Sequence, residues 1–436
     1  MTSRGSLARL GLVLALVGIP GAAAAQPPGI TRHLLPNGMT VIVRENPAAP
    51  VVTASLQVRA GSRFETPEMA GITNFLLRTM IRGTSRRSAT ELAEAAEEIG
   101  GSLDASGEVE SAEIRGEALA RHWEGLLGLI AEVALEPSFP SEEIERERRL
   151  ILSQIKTRAE TPFTLSLDAL LRELYGSHPY AWPGLGLPSA VGRFARGELV
   201  AHYRAVFRAE RVVLAVSGQV SHARVVRTSE RLFAKLPRSG AGEVGAAAPA
   251  TPVGARRVLE RPAQQAQVLV GYLGPGLSDP AYPAVRVLGA VLGGGMAGRL
   301  FVELREKRGL AYALGVLIPF RTGPSFFVTH LGTAPENSAA AEAGLLAELE
   351  RIRQAPVGRE ELARAKAYLL GNFALDRRTN ARQAWYLAFF EVIGAGWDFP
   401  ERYAQALDAV TAADVEAAAQ RFLVRPTLVV LQPPGR

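Results

Sequence analysis

The sequence predicts an α+β fold of two similar domains, each an antiparallel-dominated sheet with helices packed on one face. Three observations predict it. The order of elements repeats at a nearly constant offset, apolar strands arrive in hairpins between helices, and a Gly/Ala/Pro-rich stretch separates the two copies. At 436 residues the chain is long enough for two cores.

The repeat is seen at two places. A helix-like stretch around Glu198-Leu199 ends at Phe207 and runs into Val212-Val213-Leu214-Ala215-Val216. Asp414-Val415 opens a similar stretch through Phe422, followed by Leu428-Val429-Val430-Leu431, and the step from Leu199 to Val415 equals that from Val212 to Leu428. Phe139-Pro140-Ser141-Glu142-Glu143-Ile144 and Val357-Gly358-Arg359-Glu360-Glu361-Leu362, separated by almost the same step, each open a long charged helix. Two echoes at nearly one offset favour duplication.

Strand and helix signals fill the first copy. Pro36-Asn37-Gly38 reads as a hairpin turn before Thr40-Val41-Ile42-Val43, and Val52 to Val58 alternates as a half-buried strand does. Ser88 with Glu91 forms a capping box for a helix through Ile99. Glu108 to Glu117 reads as a further strand and Ala118 to Ala134 as a helix.

The linker composition runs from Pro237 to Gly254 and lacks hydrophobic periodicity. It divides the chain into domains at 26–238 and 255–436, with a linker at 239–254. Residues 1–25 read as an export signal: Arg4 and Arg9, an apolar run from Leu10 to Ile19, then Ala23-Ala24-Ala25 before Gln26. The expectation is an exported chain, periplasmic or extracellular, beginning near Gln26 and without integral membrane association. Losing Arg4 and Arg9 takes the formal net charge from +6 to +4.

Composition excludes several functions. Acidic and basic residues are interspersed without a basic stripe carrying aromatics, which argues against nucleic-acid binding. With no Cys there is no disulfide, thiol nucleophile or Cys-ligated zinc. The six His (His33, His122, His178, His202, His222 and His330) include no pair at ligand spacing, so each reads as surface or satisfied core. Gly293-Gly294-Gly295 is followed by no G-K-[ST], and reads as a turn allowing close backbone approach rather than a phosphate loop.

The segment Gly71-Ile72-Thr73-Asn74-Phe75-Leu76-Leu77-Arg78-Thr79-Met80-Ile81-Arg82-Gly83-Thr84 resembles the signature helix of the pitrilysin/insulinase-type (inverzincin) zinc peptidases. That family carries H-x-x-E-H there. Two His one turn apart bind Zn²⁺, the Glu serves as general base, and a later helix supplies a third ligand, a Glu. Here Asn74 stands at the first His, Leu77 at the base and Arg78 at the second His. Gln154, in the later charged segment Glu147 to Ile155, stands at the Glu ligand. Neutral amides are poor zinc ligands, Leu has no base, and a guanidinium repels the cation. The resemblance therefore implies no zinc and no cofactor in this chain.

A second resemblance is intact. Gly298 to Tyr312, with Leu304-Arg305-Glu306-Lys307-Arg308-Gly309-Leu310-Ala311-Tyr312, is similar to the L-R-E-K-x-G-L-A-Y segment of the family's C-terminal domains. There an Arg and a Tyr seven residues apart hold the substrate backbone and polarise the scissile carbonyl, and Arg305 and Tyr312 match them. Both types suit a developing oxyanion. Read without the resemblance, they are a surface Arg at a helix end and a strand Tyr in the core.

Taken over the whole chain, the resemblance implies a half clamshell like that of mitochondrial processing peptidase. It implies a non-catalytic subunit in a heterodimer with a zinc-bearing homologous peptidase, acting on an unfolded peptide substrate, with Arg305 and Tyr312 completing the partner's site. An inert structural or assembly subunit and a stand-alone peptide-binding protein remain alternatives.

Overall fold

The computed structural model describes residues 29–238 and 254–434. The expected export signal at 1–25 and nearly all of the expected linker at 239–254 lie outside the described residues. Six strands form the first sheet: β1 (Ile30–Leu34), β2 (Thr40–Glu45), β3 (Val51–Val58), β4 (Ser102–Gly107), β5 (Ala112–Leu119) and β6 (Val212–Gly218). Five form the second: β7 (Ala255–Glu260), β8 (Ala266–Gly274), β9 (Ala313–Leu317), β10 (Ser325–Thr333) and β11 (Thr427–Gln432).

The strand orders are β1-β2-β6-β3-β5-β4 and β7-β11-β8-β10-β9. Without β1 the first order becomes the second, strand for strand. Each sheet has one parallel pair, β2 with β6 and β7 with β11, and is otherwise antiparallel. The helices preceding β6 and β11, Arg196–Val206 and Ala412–Phe422, hold equivalent places in the two copies. They begin alike, because Glu198 accepts from the N–H of Ala195 at 2.8 Å and Asp414 from that of Thr411 at 2.8 Å. An acidic side chain at the third helical position takes up backbone donors at the helix start and complements the dipole there.

Local signals work as read at several points. Gly38 (φ 95°) turns β1 into β2 while the Asn37 side chain accepts from the Met39 N–H at 3.1 Å. The Ser88/Glu91 capping box starts the helix Ala89–Glu98. Two boundaries differ. Residues 108–111 are the turn of a hairpin whose first arm, β4, the sequence reading lacks, and β5 continues to Leu119, so the helix begins only at Trp123. In β4, Ser102, Asp104, Ser106 and Gly107 carry little strand propensity. Pairing with β5, from Ser102 opposite Glu117 to Gly107 opposite Ala112, supplies the order instead.

Each sheet turns one face to its own helices. In the first, Val41, Val43, Leu56, Ile114, Leu214 and Val216 join Phe75, Leu126 and Ile130 in one core. The other face receives a helix from the opposite half. Ile42, Val213 and Ala215 lie against Ala384, Leu387, Ala388 and Val392 of the helix Asn380–Val392. In return, Leu170 and Leu174 of the helix Pro162–Tyr175 pack on Leu269, Leu273, Val328 and Val429 of the second sheet. Each of these helices follows the long charged helix of its own copy, so they correspond and the exchange is reciprocal. A side chain at Gly271 would meet Leu170 at 2.6 Å, which is why that strand position is bare.

Polar ties reinforce the exchange. The Asn380 side-chain oxygen accepts from Asn46 at 2.9 Å and Ser217 at 3.1 Å. The buried carboxylate of Glu110, in the β4–β5 turn, accepts from Arg63 (3.1 Å), Thr322 (2.7 Å) and Tyr180. His178, which the sequence reads as structural, is buried beside Tyr175 and Tyr180 and accepts from the Tyr180 N–H. Burial keeps its pKa below the usual imidazole value.

Candidate functional site

The helix Ile72–Met80 carries three of the four positions in question. It starts from Gly71, whose φ of 98° favours glycine, and Glu65 takes up its first donors. The Glu65 carboxylate accepts from the N–H groups of Gly71 (2.7 Å) and Thr73 (2.9 Å). Burial raises its pKa, against the opposing pull of those bonds. The Thr73 hydroxyl lies 3.0 Å from Nε2 of His202, whose pKa burial lowers to about 4. His202 is therefore a neutral partner at neutral pH. β4 crosses closely, since a side chain at Gly107 would lie 2.6 Å from the Asn74 Cα.

Asn74 and Arg78 are one turn apart and share a helix face. Leu77 has no exposed surface and belongs to the core with Phe75 and Leu76. Arg78 reaches across to the helix Ser141–Glu160, where Nε donates to Glu147 Oε2 at 2.8 Å and Nη1 to Gln154 Oε1 at 2.6 Å. Arg82 donates from Nε to the other oxygen of Glu147, also at 2.8 Å. The Glu147 side chain is wholly buried, whereas those of Arg78 and Arg82 remain 19% and 33% exposed.

The sequence reading places Arg78 and Gln154 in one site, and the structure brings them into contact. It does not single out Glu147 or Arg82. Their signal was spacing: Glu147 precedes Gln154 by seven residues, two turns on one face, and Arg82 follows Arg78 by four.

These residues do not fit a zinc ion. A guanidinium bridges the two helices that would supply ligands, and the Gln154 oxygen is engaged with it. The Asn74 amide nitrogen is a donor and Leu77 lies in the core. Among the described residues no group of three or more His, Cys, Asp or Glu could hold a metal ion.

Arg305 and Tyr312 lie in the other half. Arg305 is in a π-helical turn, Phe301–Glu306, with its guanidinium 5.1 Å from the Phe301 ring centroid. Its Nη1 donates to the Tyr312 carbonyl at 3.2 Å. Tyr312 is no core residue, being 60% exposed immediately before the edge strand β9. Upstream, Gly293 is the last residue of the helix Tyr282–Gly293 rather than part of a turn, and it passes so close to β9 that a side chain would meet the Val316 N at 3.1 Å.

Fold and site together define a two-domain α+β protein built like a zinc peptidase but without a metal-binding residue set among the described residues. The family model "Insulinase (Peptidase family M16)" matches residues 40–186, and "Peptidase M16 inactive domain" matches 193–369. The chain carries pitrilysin/insulinase (M16) family domains in both halves and belongs to that family, as a homologue bearing the inactive domain. A Rickettsia bellii protein described as an uncharacterized zinc protease is 27% identical over 92% of this chain and 96% of its own length. One from Mycobacterium leprae is 29% identical over 92% and 91%. Among solved structures, a peptidase M16 inactive domain from Pseudomonas fluorescens superposes with TM-score 0.86 at 23% identity, covering 93% of this chain and 98% of its own. A Helicobacter pylori protease gives 0.87 at 20%, covering 93% and 99%. At these identities the likeness is one of fold.

Proposed function

We propose that the chain is the non-catalytic, substrate-binding subunit of a heterodimeric zinc peptidase that degrades or processes unfolded peptides. A homologous partner holds the zinc, and this chain contributes Arg305 and Tyr312 to the partner's active site. The protein is exported to the periplasm or the extracellular space and works there. Among the described residues no helix is long and apolar enough to cross a membrane.

One observation carries the reading: the two motifs have opposite fates. At the first, Arg78 is tied to Glu147 and Gln154 inside the chain. At the second, Tyr312 is largely exposed, and the exposed Arg305 donates to its carbonyl and lies over the Phe301 ring. An exposed aromatic next to a multi-donor cation suits recognition of a peptide backbone.

The test is metal content by mass spectrometry together with cleavage of a quenched unfolded peptide, for the mature chain alone and mixed with a zinc-bearing homologue. The expected result is neither stoichiometric zinc nor cleavage alone, and chelator-sensitive cleavage by the mixture. Zinc-dependent cleavage by the chain alone would overturn the reading.

A further inference from the structure

The π-helical turn Phe301–Glu306 is held from two sides by ion pairs. Just before it, Arg299 closes a fork onto Glu361 of the helix Arg359–Asp376, with Nε 2.7 Å from Oε1 and Nη2 2.8 Å from Oε2. These side chains are only 10% and 21% exposed, so the pair keeps one geometry and is little screened. Within the turn, Glu303 pairs with Lys307 at 2.9 Å and with Arg351 of the helix Ser338–Gln354 at 3.7 Å. Leu304 packs on that helix where it has no side chain, since a Cβ at Gly344 would lie 2.7 Å from it.

The turn decides where Arg305 points. The Lys307 N–H donates to the Val302 carbonyl at 3.1 Å, five residues back. An α-helix closes that bond four residues back, so the wider turn changes the direction in which Arg305 leaves the helix. Tyr312 is anchored separately, because its N–H donates to the Gly332 carbonyl of β10 at 2.9 Å. The bond from Arg305 Nη1 to the Tyr312 carbonyl therefore joins two independently held elements.

We propose that Arg299 and Glu361 are positioning residues. Their ion pair fixes the π turn so that Arg305 is presented beside Tyr312 to the peptide backbone. They act through Arg305 and make no contact with the peptide themselves. The proposal rests on the reading of Arg305 and Tyr312 given above.

Turnover of a quenched unfolded peptide by the pair reconstituted with a zinc-bearing homologue tests it, alongside hydrogen exchange of residues 300–312 in the full mature chain alone. Glu361→Gln keeps the side-chain shape and removes the charge. It should lower kcat about tenfold, the effect of a small misplacement, and change kcat no further in an Arg305→Ala background. Arg299→Lys keeps the charge but not the fork, and should fall between the parent and Glu361→Gln. In the chain alone, Glu361→Gln should speed exchange at 300–312. A loss of the same size with and without Arg305 would mean general destabilisation and overturn the proposal, as would unchanged exchange at 300–312. Parental kcat in Glu361→Gln, where Arg305→Ala lowers it, would sink the positioning role and spare the reading beneath it. No effect of Arg305→Ala or Tyr312→Phe would remove that reading, and the proposal with it.

Discussion

The Nη1 of Arg78 lies 2.6 Å from the Oε1 of Gln154, so a guanidinium joins the two helices that a metal ion would otherwise join. The same side chain holds Glu147, which Arg82 grips from the other oxygen. Glu147→Ala leaves two guanidiniums facing one another and should lower unfolding stability by about 3 kcal/mol. The double substitution Arg78→Leu/Glu147→Leu should cost less than the sum of its parts, as urea unfolding in a double-mutant cycle would show.

Restoring His, Glu and His at positions 74, 77 and 78 should not restore zinc. Leu77→Glu places a carboxylate in a fully buried core position, and Gln154 remains a weak ligand. The triple variant should melt below the parent and retain no stoichiometric zinc after dialysis. Elemental analysis showing one tightly held zinc per chain would contradict this.

In a reconstituted pair, Tyr312→Phe should lower turnover by about 10²–10³-fold while leaving assembly intact, the usual cost of one oxyanion donor. Arg305→Ala should impair turnover as well. Size-exclusion chromatography separates assembly from activity, and unchanged turnover in Tyr312→Phe removes that hydroxyl from the mechanism.

His202 gives a pH prediction of definite sign. Its folded pKa, about 4, lies below the unfolded value of 6.5, so between them the unfolded chain binds a proton that the native one refuses. The associated stability is complete above pH 6.5, and falls by about 2 kcal/mol on acidification to pH 4, allowing for partial solvation of the ring. His202→Gln should lose less between pH 7 and pH 4 when both proteins are unfolded in denaturant.

Leu170→Ala tests the exchanged helices. The side chain is fully buried between the helix Pro162–Tyr175 and the second sheet, so truncation should cost about 2–5 kcal/mol. Limited proteolysis should then cut between the halves sooner than in the parent.

Much of this was legible in the sequence because it rests on local chemistry. The Ser88/Glu91 box, the Asn37-Gly38 turn and the matched starts at Glu198 and Asp414 are settled by near neighbours in the chain. The Arg78–Gln154 contact was legible because the family resemblance supplied a spacing. β4 was not, since pairing with β5 rather than its own side chains orders it. Glu147 escaped because a Glu in a charged helix looks like any solvated residue until the second helix is placed over it. Tyr312 shows the reverse, a strand-edge aromatic whose exposure no local pattern announces.

The reciprocal helix exchange also bears on how the chain is made. The first sheet is complete once Gly218 has emerged, yet the helix that seals its second face begins only at Asn380. Throughout the intervening synthesis, Ile42, Val213 and Ala215 form an uncovered greasy surface. An N-terminal fragment released early would keep that surface and aggregate. The molecule is thus a single gene's version of two arm-swapped subunits, in which neither arm can be withheld without leaving the other half unfinished.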